Sequence, residues 1–459
     1  MPRATFKTTL HLGWQPTTHF TLPTWRCGAA RTHPAVFAAP LRARDYSRIA
    51  KGGDAKEAMR VWQTAMGYPG VAALAVASLA STLIEPLQQA GADIAPFIID
   101  VGGPSGTGKS VALGVMEAMW GAPMSFMDTW QSSNGDLLKH ASVLRNLPLL
   151  VNEAQSRSTR SGKADGLLDF VYSFHEGQRT QQGGYRQWHN LAVSTNEEPL
   201  FDLTRERHGA KARLLPLTRP LFGGVSDEAR SDIAVLKGVG ASNYGHIGPL
   251  FVTAMFPAAF RPAERAVLAE GHTRWTEAVR TIARTTDVTS ARVARYAGLL
   301  MLTAERINKM GTLPEVPTSD VLEVLVEAVC LVASRTNIAA SSFIELCAHL
   351  RASPHAVIGL AYDGSEAPLA VWPTAPGEDG FVVARALHEW CMANGYAIND
   401  VLGQWAATHI VKMAATKAAE RSAAAGDWIS ACQVSRQVLD RGRPQEALGY
   451  ALASSAFGA

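Results

Sequence analysis

The stretch "APFIIDVGGPSGTGKSVALGVMEAMWG", Ala95 to Gly121, decides the fold. It opens with a short apolar run, passes through a glycine-rich turn and ends in a segment whose apolar residues recur at helical spacing. Inside it Gly103, Pro104, Ser105, Gly106, Thr107, Gly108, Lys109 and Ser110 fit the pattern G-x-x-x-x-G-K-S. That pattern carries weight only between a strand and a helix, and the flanks predict both. Glycines let the backbone curl so that several N–H groups face phosphate oxygens, and the helix amino terminus adds partial positive charge. Lys109 is then set to reach the β- and γ-phosphates, and Ser110 to offer its hydroxyl to Mg²⁺. The expected ligand is ATP with Mg²⁺.

Downstream, strand and helix patterns alternate to about residue 220. "PMSFMD", "LPLLVNE", "WHNLAVSTN" and "ARLLPLT" read as four further strands, separated by helices such as "NGDLLKHASVLRN" and "GLLDFVYSFHEG". Five strands with intervening helices predict an α/β fold with a mainly parallel sheet covered on both faces. A whole strand separates the loop strand from "LPLLVNE", so another strand is expected between these two in space. "LPLLVNE" ends in Asn152-Glu153. Glu153, directly after an apolar strand, suits a general base that orients water against the γ-phosphate. Asn152 stands where an Asp commonly works through a metal-bound water. Its oxygen still accepts a hydrogen bond, but it brings no negative charge, so weaker, magnesium-hungry hydrolysis is expected. Asn196, at the end of "LAVSTN", reads either as a cap for the Asn-Glu-Glu-Pro turn or as an amide that holds water or γ-phosphate. Behind such a loop and strand the second reading leads.

A basic stretch overlaps the last strands. Arg179, Arg186, Arg205, Arg207, Lys211, Arg213 and Arg219 fall between Gly177 and Pro220. "GQRTQQGGYRQWHN" reads as a hairpin turning at Gly183-Gly184, carrying Arg179, Tyr185, Arg186 and Trp188. Arginines grip phosphates and aromatics stack on bases, so the tip suits single-stranded DNA; a solvated hairpin explains the residues equally well. Arg213 opens the fifth strand, where a guanidinium can reach a neighbouring subunit's γ-phosphate, with Arg205 and Arg207 as rivals.

The bulk numbers set limits. The 459 residues are 47% hydrophobic, enough for more than one domain. A net charge of +3 restricts nucleic-acid contact to a local patch. The apolar run Val71–Ile84 is too short to cross a bilayer, and the start of the chain lacks a signal-peptide core, so no membrane contact and a cytoplasmic location are expected. Cys27, Cys330, Cys347, Cys391 and Cys432 form no C-x-x-C pair. Four segments are expected: a strand and helix extension over 1–92, the ATPase core over 93–222, a helical domain over 223–352 and a C-terminal region over 353–459. In the last, a short hairpin near 359–375 precedes helices over "GFVVARALHEWCMANG" and "DVLGQWAATHIVKMAATKAAERSAAAG". About 355–425 fits either a winged helix or a plain packing bundle.

Taken in order, "LGWQPTTHFTLPTW", "GGPSGTGKS", "MDTWQSSNGDLLKHA", "LPLLVNEAQ", the "GQR" start of the hairpin, "LAVSTNEEP", "GAKARLLPL" and "NYGHIGPLFV" resemble one family. It is that of the phage and mobile-element replicative helicases of superfamily-three and AAA+ type. The nearest likeness is a module, catalogued as a domain of unknown function, that often follows a primase. The likeness spans about residues 10–255. It implies a homo-oligomeric ring, usually a hexamer, with ATP at subunit interfaces and single-stranded DNA in the channel. By the same likeness Arg179 and Arg186 take the hairpin role, Asn196 the sensor role and Arg213 the arginine finger. No primase is visible in the sequence, so priming would fall to a primase or other replication protein in trans. The rival expectations are a weakly hydrolysing nucleotide switch or DNA-binding scaffold, which Asn152 keeps open, and an ATPase that remodels protein.

Overall fold

The computed structural model describes residues 8–16, 19–28, 36–38, 46–152, 163–181, 184–204, 208–224, 226–285, 287–336, 338–365, 367–375, 377–394, 396, 398–424, 427–440 and 443–453. The chain forms two compact units, 1–333 and 334–459.

The first unit is built on a five-stranded sheet. Its strands are β1 (Ile98–Gly102), β2 (Asp128–Thr129), β3 (Leu149–Asn152), β4 (Ala192–Asn196) and β5 (Leu214–Leu217). They lie in the order β5-β1-β4-β3-β2. Every pairing is parallel, with Ala192 facing both Ile98 and Leu149, Leu214 facing Ile98, and Asp128 facing Val151. The expectation of a mainly parallel sheet thus becomes a wholly parallel one, and the strand expected between β1 and β3 is β4. Parallel strands need both faces covered, and β1, β4 and β5 are buried along their whole length.

The covering helices include α1 (Ala55–Met66), α2 (Pro69–Ala80), α3 (Lys109–Ala118), α4 (Asn134–Leu144), α5 (Lys163–His175), α6 (Asp227–Ser242) and α7 (Val288–Met310). Asp54 caps α1 and Ser133 caps α4, each accepting backbone N–H groups of the first turn. α2 is apolar all round, as a helix inside a core must be. The run Val71–Ile84, short in itself, continues as helical chain over Pro69–Gln89. Those 21 residues are long and apolar enough to cross a membrane, but the apolar window is wholly buried within the protein. At the start of β1, Phe97 stacks on Tyr296 of α7 at 4.1 Å and 3°. The amino-terminal residues form a three-stranded antiparallel sheet of Gly13–Gln15, His19–Thr21 and Arg26–Gly28.

One expected strand is shortened. Of "PMSFMD" only Asp128 pairs in the sheet, and Pro123–Met127 form turns. The buried Glu117 carboxylate accepts the backbone N–H groups of Met124 and, at 2.9 Å, Phe126. A side chain satisfies donors that a strand partner would otherwise take.

The second unit carries its own core, with Val401, Leu402, Trp405, Leu387 and Tyr450 at its centre. Its sheet runs Val357–Ile358, Ala370–Val371, Gly380–Val383, Arg443–Leu452, Gln433–Asp440. Three expectations are corrected here. The region near 359–375 is no hairpin: Val357–Ile358 pairs parallel with Ala370–Val371, after an excursion over 359–369. The segment expected as one helix breaks after Ala407, where His409 takes a left-handed backbone with φ 59°, and resumes at Lys417. "GFVV" is a strand that pairs antiparallel with Arg443–Leu452, and that last strand forms a terminal hairpin the sequence reading left out.

Candidate functional site

The loop after β1 turns on three glycines. Gly103, Gly106 and Gly108 have φ of 145°, 80° and 84°, a region that side-chain-bearing residues rarely adopt. At Gly108 a Cβ would also lie 2.5 Å from the Phe222 ring. Among the described residues no side chain caps α3, whose amino terminus abuts the loop. Lys109 folds back over that concavity: its ammonium donates to the carbonyls of Gly103 at 2.5 Å and Pro104 at 2.6 Å. Burial lowers the Lys109 pKa, against the opposing pull of Glu197. A cavity of about 330 Å³ opens here, lined among others by Ser105, Gly106, Lys109, Ser110, Asn152 and Thr195.

The strand tips finish the site. Because β4 lies between β1 and β3, its end falls beside both the loop and Asn152. Asn152 Oδ1 accepts from Thr195 Oγ1 at 2.6 Å and from Ser110 Oγ at 3.4 Å. Asn196 also lines the cavity, and its side chain is held by hydrogen bonds. Its amide donates to Asp100 at 3.1 Å and to the Glu198 carbonyl at 2.7 Å, and its oxygen accepts from Ser194 at 3.1 Å. Asp100 is fully buried, and burial pushes its carboxyl up to about 6 despite these hydrogen bonds. Asn196 therefore ties β4 to β1, and the hydroxyl that meets Asn152 is that of Thr195. Sequence reasoning missed Thr195, Glu197 and Ile233, all of which line the cavity. Thr195 and Glu197 flank Asn196, so strand alternation was the available signal; Ile233 comes from α6 and left none.

Ser110, Asn152 and Thr195 present hard oxygen donors, the chemistry that suits Mg²⁺. All three are neutral. The carboxylate among the described lining residues is Glu197. Glu153 lies outside the described residues, as do Arg205 and Arg207.

At the opposite, amino-terminal end of the sheet lies the basic chemistry. Gln178–Gln181 and Gly184–Gln187 form an antiparallel pair, with Arg179 opposite Arg186 and Tyr185 opposite Thr180. Two like charges directly across a ladder repel, which suits a bound anion. Arg179 is exposed and Arg186 half-buried; the Tyr185 side chain lies outside the described set. Trp188 does not join them. It is 1% exposed, donates to the Phe174 carbonyl at 2.8 Å and stacks on Phe174, so it anchors the hairpin and cannot meet a base. Arg213 opens β5, where its carbonyl accepts from Ile98 at 3.0 Å. Its guanidinium lies 4.5 Å over Tyr172 and donates to Gly209, while Nε has no hydrogen-bond partner among the described residues.

Residues 1–187 match the family described as a domain of unknown function, DUF927. This match takes in β1 to β3 and the hairpin and stops before β4. A solved structure, that of the "SCCmec type IV Cch - active helicase", superposes with a TM-score of 0.70 at 13% identity, covering 100% of this chain and 82% of that one. The chain has the fold of that helicase. No curated protein matches the sequence. At this identity the likeness shows fold alone, and function rests on the site.

Proposed function

We propose that this protein is an ATP-hydrolysing motor of AAA+-like fold, a replicative DNA helicase or translocase of a phage or mobile element. One observation carries the reading: Lys109, Ser110, Asn152 and Thr195 converge on a single cavity at the carboxyl ends of adjacent strands β1, β4 and β3. Residues 103–110 act as the phosphate-binding loop. Lys109 leaves the two loop carbonyls for the β- and γ-phosphates, and the uncapped amino terminus of α3 faces the same oxygens. Mg²⁺, bound with the nucleotide, neutralises charge that develops on the phosphates. Ser110 and Asn152 would hold it. Glu153 acts as general base. Thr195 and Asn196 are assigned to the γ-phosphate end, Asn196 in the sensor role while it also ties its strand to β1.

Arg213 lies far from its own chain's loop, at the other end of the sheet. It is assigned to the nucleotide of a neighbouring subunit, which requires a homo-oligomeric ring, a hexamer by family likeness. Arg179, Arg186 and Tyr185 face single-stranded DNA in the channel. Four functional segments, 1–92, 93–222, 223–352 and 353–459, and a cytoplasmic setting with a primase in trans complete the proposal. In the second unit the strand Gly380–Val383, the helices after it and the hairpin of Gln433–Asp440 and Arg443–Leu452 support a winged-helix reading that extends past the 355–425 first expected. Lys109→Ala tests the core claim: ATP turnover falls to background. Turnover at the wild-type rate would remove the loop assignment. The second reading, a nucleotide switch, draws on the neutral Asn152.

A further inference from the structure

We propose that Glu197, at the tip of β4, supplies the carboxylate that Asn152 lacks, and that these two residues together hold the divalent cation of the bound nucleotide. This rests on the nucleotide reading above and adds a residue that the loop and strand motifs leave out.

The donors that face Ser110 are neutral oxygens. Mg²⁺ sites of this kind use one or two carboxylates beside the phosphates, so a site built on Ser110 and Asn152 alone is short of negative charge. Glu197 lines the same cavity as those two side chains. It reaches it because β4 runs between the loop strand and the Asn152 strand, and neighbouring strands lie only about 4.8 Å apart.

The tip that carries Glu197 is held firmly. Asn196 donates to Asp100 on β1 and to the carbonyl of Glu198, spanning the residue between them. Pro199 packs so closely on Gly102 that a Cβ there would lie 2.4 Å from its Cγ. Phe201 N–H donates to Asp100 at 2.9 Å and closes the turn. Glu197 is thus exposed to the cavity on a backbone pinned on both sides. The Lys109 ammonium also feels its charge. The same arrangement gives the inward-turned Asn196 amide a purpose: it positions Glu197.

Mn²⁺ serves as the probe, read by its electron paramagnetic resonance signal in the presence of a non-hydrolysable ATP analogue. Affinity for the analogue is measured in parallel in excess chelator, without metal. Glu197→Gln is expected to weaken Mn²⁺ in the complex by roughly tenfold or more, the scale of losing a group that tunes a metal site. It should not weaken metal-free analogue binding. Asn152→Asp added to Glu197→Gln should bring Mn²⁺ affinity back towards wild type. Unchanged Mn²⁺ affinity in Glu197→Gln, or a double variant no better than the single one, overturns the proposal. An equal loss of metal-free binding also overturns it, because Glu197 would then act through Lys109. If the wild type binds no analogue, the nucleotide reading itself falls.

Discussion

The two ends of the central sheet are built on opposite plans. At the carboxyl ends the polar side chains satisfy one another: Lys109 rests on loop carbonyls, Thr195 on Asn152, and Asn196 on Asp100. At the amino ends charge is in surplus. Arg179 faces Arg186 across the hairpin, Arg213 stacks on Tyr172 with its Nε unpaired among the described residues, and Arg292 adds a second positive charge beside Arg213, against the weaker pull of Glu176. A preformed site whose internal bonds can be exchanged for ligand bonds is suited to a small, repeatedly bound substrate. On the proposed function, these surplus cations meet an anion from outside the chain, such as DNA phosphates or a neighbour's nucleotide. The contrast separates chemistry done within one subunit from contacts made between molecules.

If that division holds, Arg213→Ala should give the largest effect at the basic end. As a finger acting in trans it should lower turnover by ~10³-fold while ATP binding stays intact. Mixing it with Lys109→Ala protein should restore part of the turnover, because each variant lacks a different half of the interface. No restoration would place Arg213 in its own subunit's structure. At the carboxyl end, Glu153→Gln should keep ATP binding and cut hydrolysis by ~10²-fold or more, the scale of a lost general base. Hydrolysis at the wild-type rate would hand the site to the switch reading.

The hairpin sharpens the comparison more gently. Arg179→Ala with Arg186→Ala should weaken single-stranded DNA binding and lower the slope of log affinity against log salt by about 1.4, two contacts at ~0.7 each. Basal ATP turnover should be untouched. An unchanged slope would leave the hairpin a solvated loop.

The smallest effect is a pH dependence. His175 Nδ1 donates to the Pro96 carbonyl at 2.6 Å, so Nδ1 carries the proton. Burial, with Arg213 and Arg292 behind it, pushes its pKa down to about 4. The unfolded chain takes up this proton near 6.5 and the folded one only near 4. Stability is therefore full above the unfolded value and lost as pH falls between the two, at no more than ~1.4 kcal/mol per pH unit for one group. His175→Asn should narrow the gap between urea midpoints measured at pH 7 and pH 5. An unchanged gap would mean that His175 is not the group titrating.

Contiguity explains what could be read from the sequence. The loop Gly103–Ser110 carries strand, turn and helix in one run, and the five strand segments stand out as apolar blocks between helical patterns. The hairpin was legible from its glycines, but its register was not: a two-residue turn at Gly183-Gly184 would set Arg179 opposite Trp188, whereas Arg179 lies opposite Arg186. Pro123–Met127 misled because its β-like pattern is satisfied by Glu117, a carboxylate from the preceding helix. Trp188 reads as an exposed aromatic until Phe174, fourteen residues earlier, is folded against it. Thr195 and Glu197 were hidden beside Asn196. All three consecutive residues line the cavity, because the tip of β4 is tied to β1 through Asp100, a partner 96 residues away. The terminal hairpin was missed because its residues Arg436 to Ala447 alternate polar and apolar types only weakly.

The account stands on one measurement above the others: steady-state ATP turnover of the wild-type protein across a Mg²⁺ titration, with and without single-stranded DNA. The account predicts turnover that needs Mg²⁺, rises with its concentration beyond the range that saturates ATP, and increases when single-stranded DNA is added. Tight binding of Mg²⁺ and ATP with no turnover, whether or not DNA is present, would contradict it.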